Sequence, residues 1–437
     1  MAGIHLHPHD ILDEGTAQIR RFLERIGNIT YLFPEVNTIF ERNPYPEGIL
    51  PHNPVHAFVQ GEGTLHVPLD ARKLYPALYQ KTDDSVLNGV DPLRTLTEGM
   101  RGTPYRIVPW INLLNGDFAG NVSDNGVYDF EGRPVEHWLC PNGPDVVPMW
   151  ANVIAELASR YGYTHYLIDR IRFPDWAGKE VRPRNLFSCF CRHCRKRMEQ
   201  SGIDTAKLAG NMREIAGCLK RRQFAKAVAE FHGSPLIRQW IMFRQESVAS
   251  FVAQLSARLS VADSRIELWL DLWPPSYAWL LGQNYRRLTR VSCTLKHFPY
   301  HKLGGGADVQ GLIDHLADDP RSREEAFRAF LKFFGMNYDL TYTGFRENGF
   351  PIRFVQDEND KARALSCPGT FIFSGVQMWN ISADDFIQTL DAVSESAAND
   401  LIYYCYGWAE PELFEAAGQW SRGNGRPFDK RSRRLRL

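Results

Sequence analysis

Residues Tyr163 to Cys194 read YTHYLIDRIRFPDWAGKEVRPRNLFSCFCRHC. The apolar run Tyr166-Leu167-Ile168 has the character of a buried strand, and it stops abruptly at Asp169-Arg170, with Arg172-Phe173-Pro174 behind it. An acid therefore stands where a strand leaves the core, which is where α/β barrels keep their chemistry. Further along, Cys189, Cys191 and Cys194 crowd together at a spacing that suits a tetrahedral metal.

Working outward from that stretch, short apolar runs alternate with amphipathic ones, the βα pattern of a parallel sheet covered by helices. Before it, Val146, Val147, Trp150, Val153, Ile154 and Leu157 recur at a helical period within Asp145 to Tyr161. Upstream runs at Ile4–His7, Ile29–Phe33 and Tyr105–Asn112 give strands one to three. Downstream, Asp204 to Leu259 reads as almost wholly helical, an insertion (about 204–235) followed by the fourth helix. Strands five to eight follow at Ile266–Trp273, Val291–His297, Thr370–Trp379 and Asp400–Trp408, with a helix at Pro351–Leu365. If strand seven were instead Ile352–Gln356, Asp357 and Glu358 would become candidates. Eight βα units predict a (β/α)8 TIM barrel with long loops, one catalytic domain over 1–425, and a basic C-terminal tail over 426–437 that reads as a solvated end. The Pro- and His-rich excursion Asn43–Leu65 reads as a substrate-side loop.

Composition narrows the function. Among 437 residues, 51 basic and 51 acidic side chains cancel, so no net field recruits nucleic acid. No run approaches the roughly 18 apolar residues that a membrane span needs. Gly3-Ile4-His5-Leu6-His7 has no basic and apolar leader, and 8 cysteines in so long a chain are poor material for a disulfide framework. The expectation is a reduced, cytoplasmic protein with neither nucleic acid nor membrane among its partners; self-association into a homo-oligomer stays open.

Side chains just past the strand ends of such a barrel face one shared pocket. Here these are His7, His9, Asp10, Glu35, Asn112, Asp169, Arg170, Arg172, Asp271, Lys296, His297, His301, Gln377, Trp379, Tyr406 and Trp408. Carboxylates, amides and aromatic faces together suit a polyol ring. Asp169 and Asp271 fall on neighbouring strands, and paired carboxylates flanking one bond are what glycosidic hydrolysis requires; the competing reading of Asp169 is an ion pair with Arg172 at the rim. Lys296 reads as an ammonium that holds a hydroxyl or a carboxylate in preference to a Schiff-base lysine. His5, His7 and His9 alternate, so an unbroken strand would send all three to one face beside Asp10, the basis of an alternative metal-dependent lyase or isomerase. A non-catalytic carbohydrate-binding barrel is a third possibility.

Cys189-Phe190-Cys191-Arg192-His193-Cys194 can wrap a structural Zn2+ with one ligand from elsewhere, Cys140 first and His193 second. Cys218, Cys293, Cys367 and Cys405 read as ordinary buried residues.

The string LIDRIRFPDW, preceded by Trp138-Leu139-Cys140-Pro141, resembles the strand-four region of bacterial glycosidase-like (β/α)8 proteins. That resemblance implies carbohydrate hydrolysis with the strand-four acid at its centre. The cysteine hexapeptide, paired with a cysteine after strand three, is similar to the zinc cluster of the beta-galactosidases of glycoside hydrolase family forty-two. That family has Asn-Glu on strand four and a Glu nucleophile on strand seven, whereas this chain has Ile168-Asp169 and Gln377. Its acid pair therefore does not transfer, and the expected function, a glycoside hydrolase, rests on Asp169 and Asp271.

Overall fold

The computed structural model describes residues 2–40, 49–58, 61–83, 88–177, 180–304 and 307–423. The basic tail lies outside the described residues, as does part of the excursion Asn43–Leu65. The barrel strands are β1 (Ala2–Leu6), β2 (Ile29–Pro34), β3 in two pieces (Arg106–Ile107 and Trp110–Asn112), β4 (His165–Asp169), β5 (Glu267–Leu272), β6 (Thr294–His297), β7 (Phe371–Gln377) and β8 (Asp400–Tyr404). Every neighbouring pair is parallel, and β8 returns to pair with β1.

Pro109 accounts for the break in β3, because it has no N–H to give to a ladder. Arg106–Ile107 pairs with β2 and Trp110–Asn112 with β4, so the two ends of the sheet belong to one short segment. A bridge between Glu35 and Trp110 crosses the seam. The strands thus form a closed ring.

Strands covered on both faces must be apolar on both, and every residue of β1 and β7 is buried. Inside the ring, Tyr31, Phe33, Trp110, Leu167, Trp269 and Phe373 pack as a core of their own. β1 lies so close to this filling that a Cβ at Gly3 would come within 2.5 Å of the Phe33 ring. Outside, the helix Val146–Tyr161 is stopped by Gly162, whose left-handed backbone (φ 78) lets its N–H cap the Ala158 carbonyl. That turn delivers the chain into β4 and so to Asp169.

The segment read as helical folds into the helices Thr205–Lys220, Phe224–Gly233 and Pro235–Ala262. One sequence expectation needs correction, and the alternative placement of strand seven falls away. β8 ends at Tyr404, and Tyr406–Trp408 form a short helical turn where the strand was expected to continue. Strand seven is Phe371–Gln377, and Arg353–Leu365 is a helix, which removes Asp357 and Glu358 from the barrel mouth. Asp357 accepts a hydrogen bond from Tyr338, and buried Glu358 accepts from Ser276 and Lys361. Among the described residues no helix is long and apolar enough to cross a membrane.

Candidate active site

Strand register builds the site. Asn112 pairs with Asp169, Asp271 pairs with Lys296, and the pairing of Leu270 with Ile168 sets Asp271 next to Asp169. Neighbours in one register row share a face of the sheet. Four successive strands therefore present Asn112, Asp169, Asp271 and Lys296 side by side at their C-terminal ends, all buried.

Lys296 Nζ donates to Asp271 Oδ2 at 2.8 Å, and Asp271 Oδ1 has no partner among the described residues. Burial pushes the Asp271 carboxyl up to about 8; Lys296 pulls it down, and the charge of Asp169 pushes it further up. This carboxyl can hold a proton near neutral pH and has a free oxygen to carry it. Asp169 Oδ1 accepts the N–H of Arg170, whose left-handed backbone (φ 54) turns the chain away from the strand.

A second polar group stands across the seam. His7 Nδ1 lies 2.7 Å from Glu35 Oε2, and the amide of Asn112 donates to Glu35 Oε1 at 3.1 Å and to the Asn37 carbonyl at 2.6 Å. Burial works against charge on His7, but Cys405 and Glu35 outweigh it and hold its pKa well above the ordinary imidazole range. Asp10 Oδ2 accepts the His7 N–H at 2.7 Å, and burial pushes that carboxyl up to about 7.

Aromatic rings form the remaining wall. Trp379 meets Trp408 edge to face at 5.6 Å and Tyr300 at 5.1 Å, Tyr404 packs on both Trp408 and Tyr300, and His7 stacks on Trp408 at 5.3 Å. Trp110 stands edge-on to Tyr404 at 5.7 Å. The sequence reading missed Trp110, Tyr300 and Tyr404. The signal for Trp110 was available, since it lies two residues before Asn112 and so on the same face of β3.

Other sequence-predicted residues do different work. Arg172 is fully buried, ion-paired with Asp175 at 2.7 Å, and held between Trp138 and Trp273 with its guanidinium 4.9 and 4.7 Å from their rings. It builds the loop after β4 and is closed to a ligand; this loop ion pair is with Asp175, not the Asp169 pairing of the rim alternative. Gln377 spends its amide on the loops, accepting from the Lys302 N–H and donating to the Trp379 carbonyl. His297 points to the helix side, where it meets Asn359 at 2.7 Å, and Tyr406 bonds Glu14. His301 is buried in the loop after β6, where burial and then Lys302 lower its pKa to about 4. Arg170 is half-buried beside Asp169.

The histidine cluster does not assemble as expected. β1 ends at Leu6, so the alternation stops there: His5 points into the barrel among Phe33, Trp110 and Tyr404, His7 pairs with Glu35, and His9 turns outward to His56 and His66. Among the described residues the group of metal-ligating atoms close enough to share an ion is Cys140, Cys189, Cys191 and Cys194, which leaves His5, His7, His9 and Asp10 without a preformed metal site.

All four of those cysteines are buried and free, with their sulfurs within 4.8 Å of one another. A disulfide needs about 2.05 Å, whereas Cys140 lies 3.4 Å from Cys194 and 3.7 Å from Cys191. Sulfurs placed roughly 2.3 Å from one ion in a tetrahedron stand about 3.8 Å apart, so the set fits a metal ion. Backbone N–H groups of Cys191 and Cys194 and the side-chain amide of Asn142 donate to the sulfurs, contacts that orient thiolates and offset their charge. Cys140 is the fourth member; His193 faces Asp124 at 2.9 Å. The cluster ties the loop after β3 to the loop after β4.

No protein-family model matches the sequence, and no curated protein matches it. Solved structures do share the fold. The catalytic domain of beta-amylase from Paenibacillus polymyxa superposes with a TM-score of 0.53 at 11% identity, over 96% of this chain and 97% of that one. Beta-galactosidase from the psychrophilic Marinomonas ef1 gives 0.52 at 10% identity, over 97% of this chain and 59% of that one. The beta-galactosidase of the Antarctic haloarchaeon Halorubrum lacusprofundi gives 0.51 at 10%, over 97% and 58%. The chain thus spans just under three fifths of those galactosidases. At such identities the likeness is one of fold.

Proposed function

We propose that this chain is a glycoside hydrolase acting on a saccharide or glycoside, with Asp271 as the general acid and Asp169 as the nucleophile. The observation that carries the reading is the register row in which these two carboxyls stand side by side at the C-terminal end of the barrel, under an aromatic wall. In the first step the proton on Asp271 Oδ1 passes to the glycosidic oxygen, the C–O bond breaks, and a carboxylate oxygen of Asp169 bonds the anomeric carbon. The aglycone leaves as an alcohol. Asp271, now a carboxylate, takes a proton from water, whose oxygen displaces Asp169 and restores both acids. Strands about 4.8 Å apart favour the short carboxyl separation of retaining enzymes, roughly 5–5.5 Å, over the wider gap of inverting ones. Glu35, Asn112 and Arg170 surround the reacting pair and are proposed to hold sugar hydroxyls, with the rings of Trp379 and Trp408 walling the site. The shared barrel of beta-amylase and the two galactosidases supports the reading at the level of fold.

The cysteine set is proposed to hold Zn2+ in a purely structural role, pinning the loop that follows Asp169. A panel of aryl glycosides tests the assignment, run with and without chelator. Turnover of at least one aryl glycoside, lost in Asp169→Asn, supports it; a panel with no turnover in metal-replete, folded protein refutes it.

A further inference from the structure

The aromatic wall is crowded with hydrogen-bond donors that nothing in the described chain accepts. Trp379 Nε1, Trp408 Nε1 and Tyr300 OH are all buried and unpartnered, and their residues are 3%, 6% and 9% exposed. They form one continuous patch, because each ring touches the next within 5.1–5.6 Å. An indole N–H can only donate, and a carboxylate can only accept, with two oxygens and about four lone-pair sites. A single hydroxyl oxygen can accept from one of these indoles, whereas the two oxygens of a carboxylate can accept from both at once. The unpartnered acceptor Asn112 Oδ1 lies in the register row instead.

We propose that the ligand of this site is a carboxylated sugar of the uronic-acid class, its acid group received by Trp379, Trp408 and Tyr300 while its hydroxyls face Asn112 and the two aspartates. The proposal rests on the glycosidase reading for the reaction but not for binding. Lys296 Nζ lies beneath the same wall, 5.9 Å from the Tyr300 ring and 5.2 Å from that of Tyr404.

The test titrates the full chain with D-glucuronate, D-galacturonate, D-glucose and D-galactose, following calorimetry and tryptophan fluorescence. At least one uronate is expected to bind about tenfold or more tightly than its neutral counterpart, the effect of one good hydrogen bond to a charged group. Trp379→Phe and Tyr300→Phe keep a ring and remove a donor; each is expected to weaken uronate binding about tenfold and neutral-sugar binding by much less. Two separate variants guard against one failing to fold. Equal affinity for uronate and neutral sugar, equal weakening of both by the variants, or no binding of any of the four overturns the proposal. The two readings fail separately: turnover of neutral aryl glycosides without uronate preference removes the acid-binding wall alone, whereas tight uronate binding with no turnover of any aryl glycoside or aryl uronide removes the hydrolase alone.

Discussion

Lys296 Nζ and Asp271 Oδ2 lie 2.8 Å apart on adjacent strands of the barrel, with side chains 3% and 0% exposed. The ammonium engages one carboxylate oxygen and leaves the other facing the site. If Asp271 is the proton donor, kcat/KM holds at lower pH and falls as pH rises through about 8, where burial has placed its ionisation. Lys296→Met removes the cation that pulls this pKa down, so the alkaline limb should move to higher pH. Asp271 can answer by keeping its proton, so the stability loss should stay below the roughly 3–5 kcal/mol that an uncompensated buried charge costs. A pH profile of kcat/KM for both proteins decides; an unmoved limb separates Asp271 from the proton-donating role.

The same shift has a consequence for stability. A carboxyl whose folded pKa is raised from its ordinary value of 3.8 to about 8 binds more protons folded than unfolded between those limits. Its contribution is therefore fully present below pH 4 and is lost as pH rises toward 8. Urea melts at pH 4, 6 and 8 should show that decline, and in Asp271→Asn the decline should be shallower. A variant with the same slope as the parent would mean that other groups set the pH dependence.

Arg172 forms a second buried pair, in the loop after β4. The guanidinium is fully buried between Trp138 and Trp273 and paired with Asp175, itself closed to solvent. Arg172→Met leaves the Asp175 carboxylate buried without its cation, which should cost on the order of 3–5 kcal/mol. Specific activity per folded molecule should change little, since Arg172 reaches no ligand. Denaturant melts and active-site-normalised rates measure the two effects; a large fall in kcat at unchanged stability would reverse the assignment.

For the cysteine cluster, the expected metal content is about one Zn2+ per chain, and Cys191→Ser should lower both metal content and melting temperature before it alters kcat. Elemental analysis and a thermal melt of the two proteins are sufficient. Metal-free protein that melts like the metal-replete form would end the structural-metal reading.

How far the sequence carried depended on whether the signal was local. The run Tyr166–Ile168 broken by Asp169, and the close spacing of Cys189, Cys191 and Cys194, are patterns within a few residues, and the fold keeps both. Cys140 could be named because it follows strand three and the barrel brings neighbouring loops together. Arg172 was misassigned because its surroundings, Trp138 and Trp273, come from distant segments that no local pattern connects to it. Tyr404 was missed for a different reason: reading β8 through to Trp408 favoured Tyr406 as the site residue, whereas the strand ends earlier and Tyr406 turns to Glu14. His9 failed in the same way, since the alternation used to aim it requires a strand that stops at Leu6.

Asp169 carries the sharpest test. Its carboxyl stands in the row between Asn112 and Asp271, and one oxygen already accepts the Arg170 N–H. A nucleophile acts mainly in the transition state, so Asp169→Asn should lower kcat by about 10³-fold or more while KM changes far less. Were Asp169 only a hydrogen-bonding cap for the turn at Arg170, Asn would replace it with one acceptor intact and the cost would be about 1 kcal/mol of stability with little loss of rate. The same variant also bears on Asp271: with the neighbouring charge gone, the force that Asp169 adds to its raised pKa disappears, and any residual activity should lose its alkaline limb at a lower pH than the parent. A folded Asp169→Asn protein with near-parental turnover would pass the nucleophile's role to Glu35, the other carboxylate of the barrel mouth, already held by His7 and Asn112.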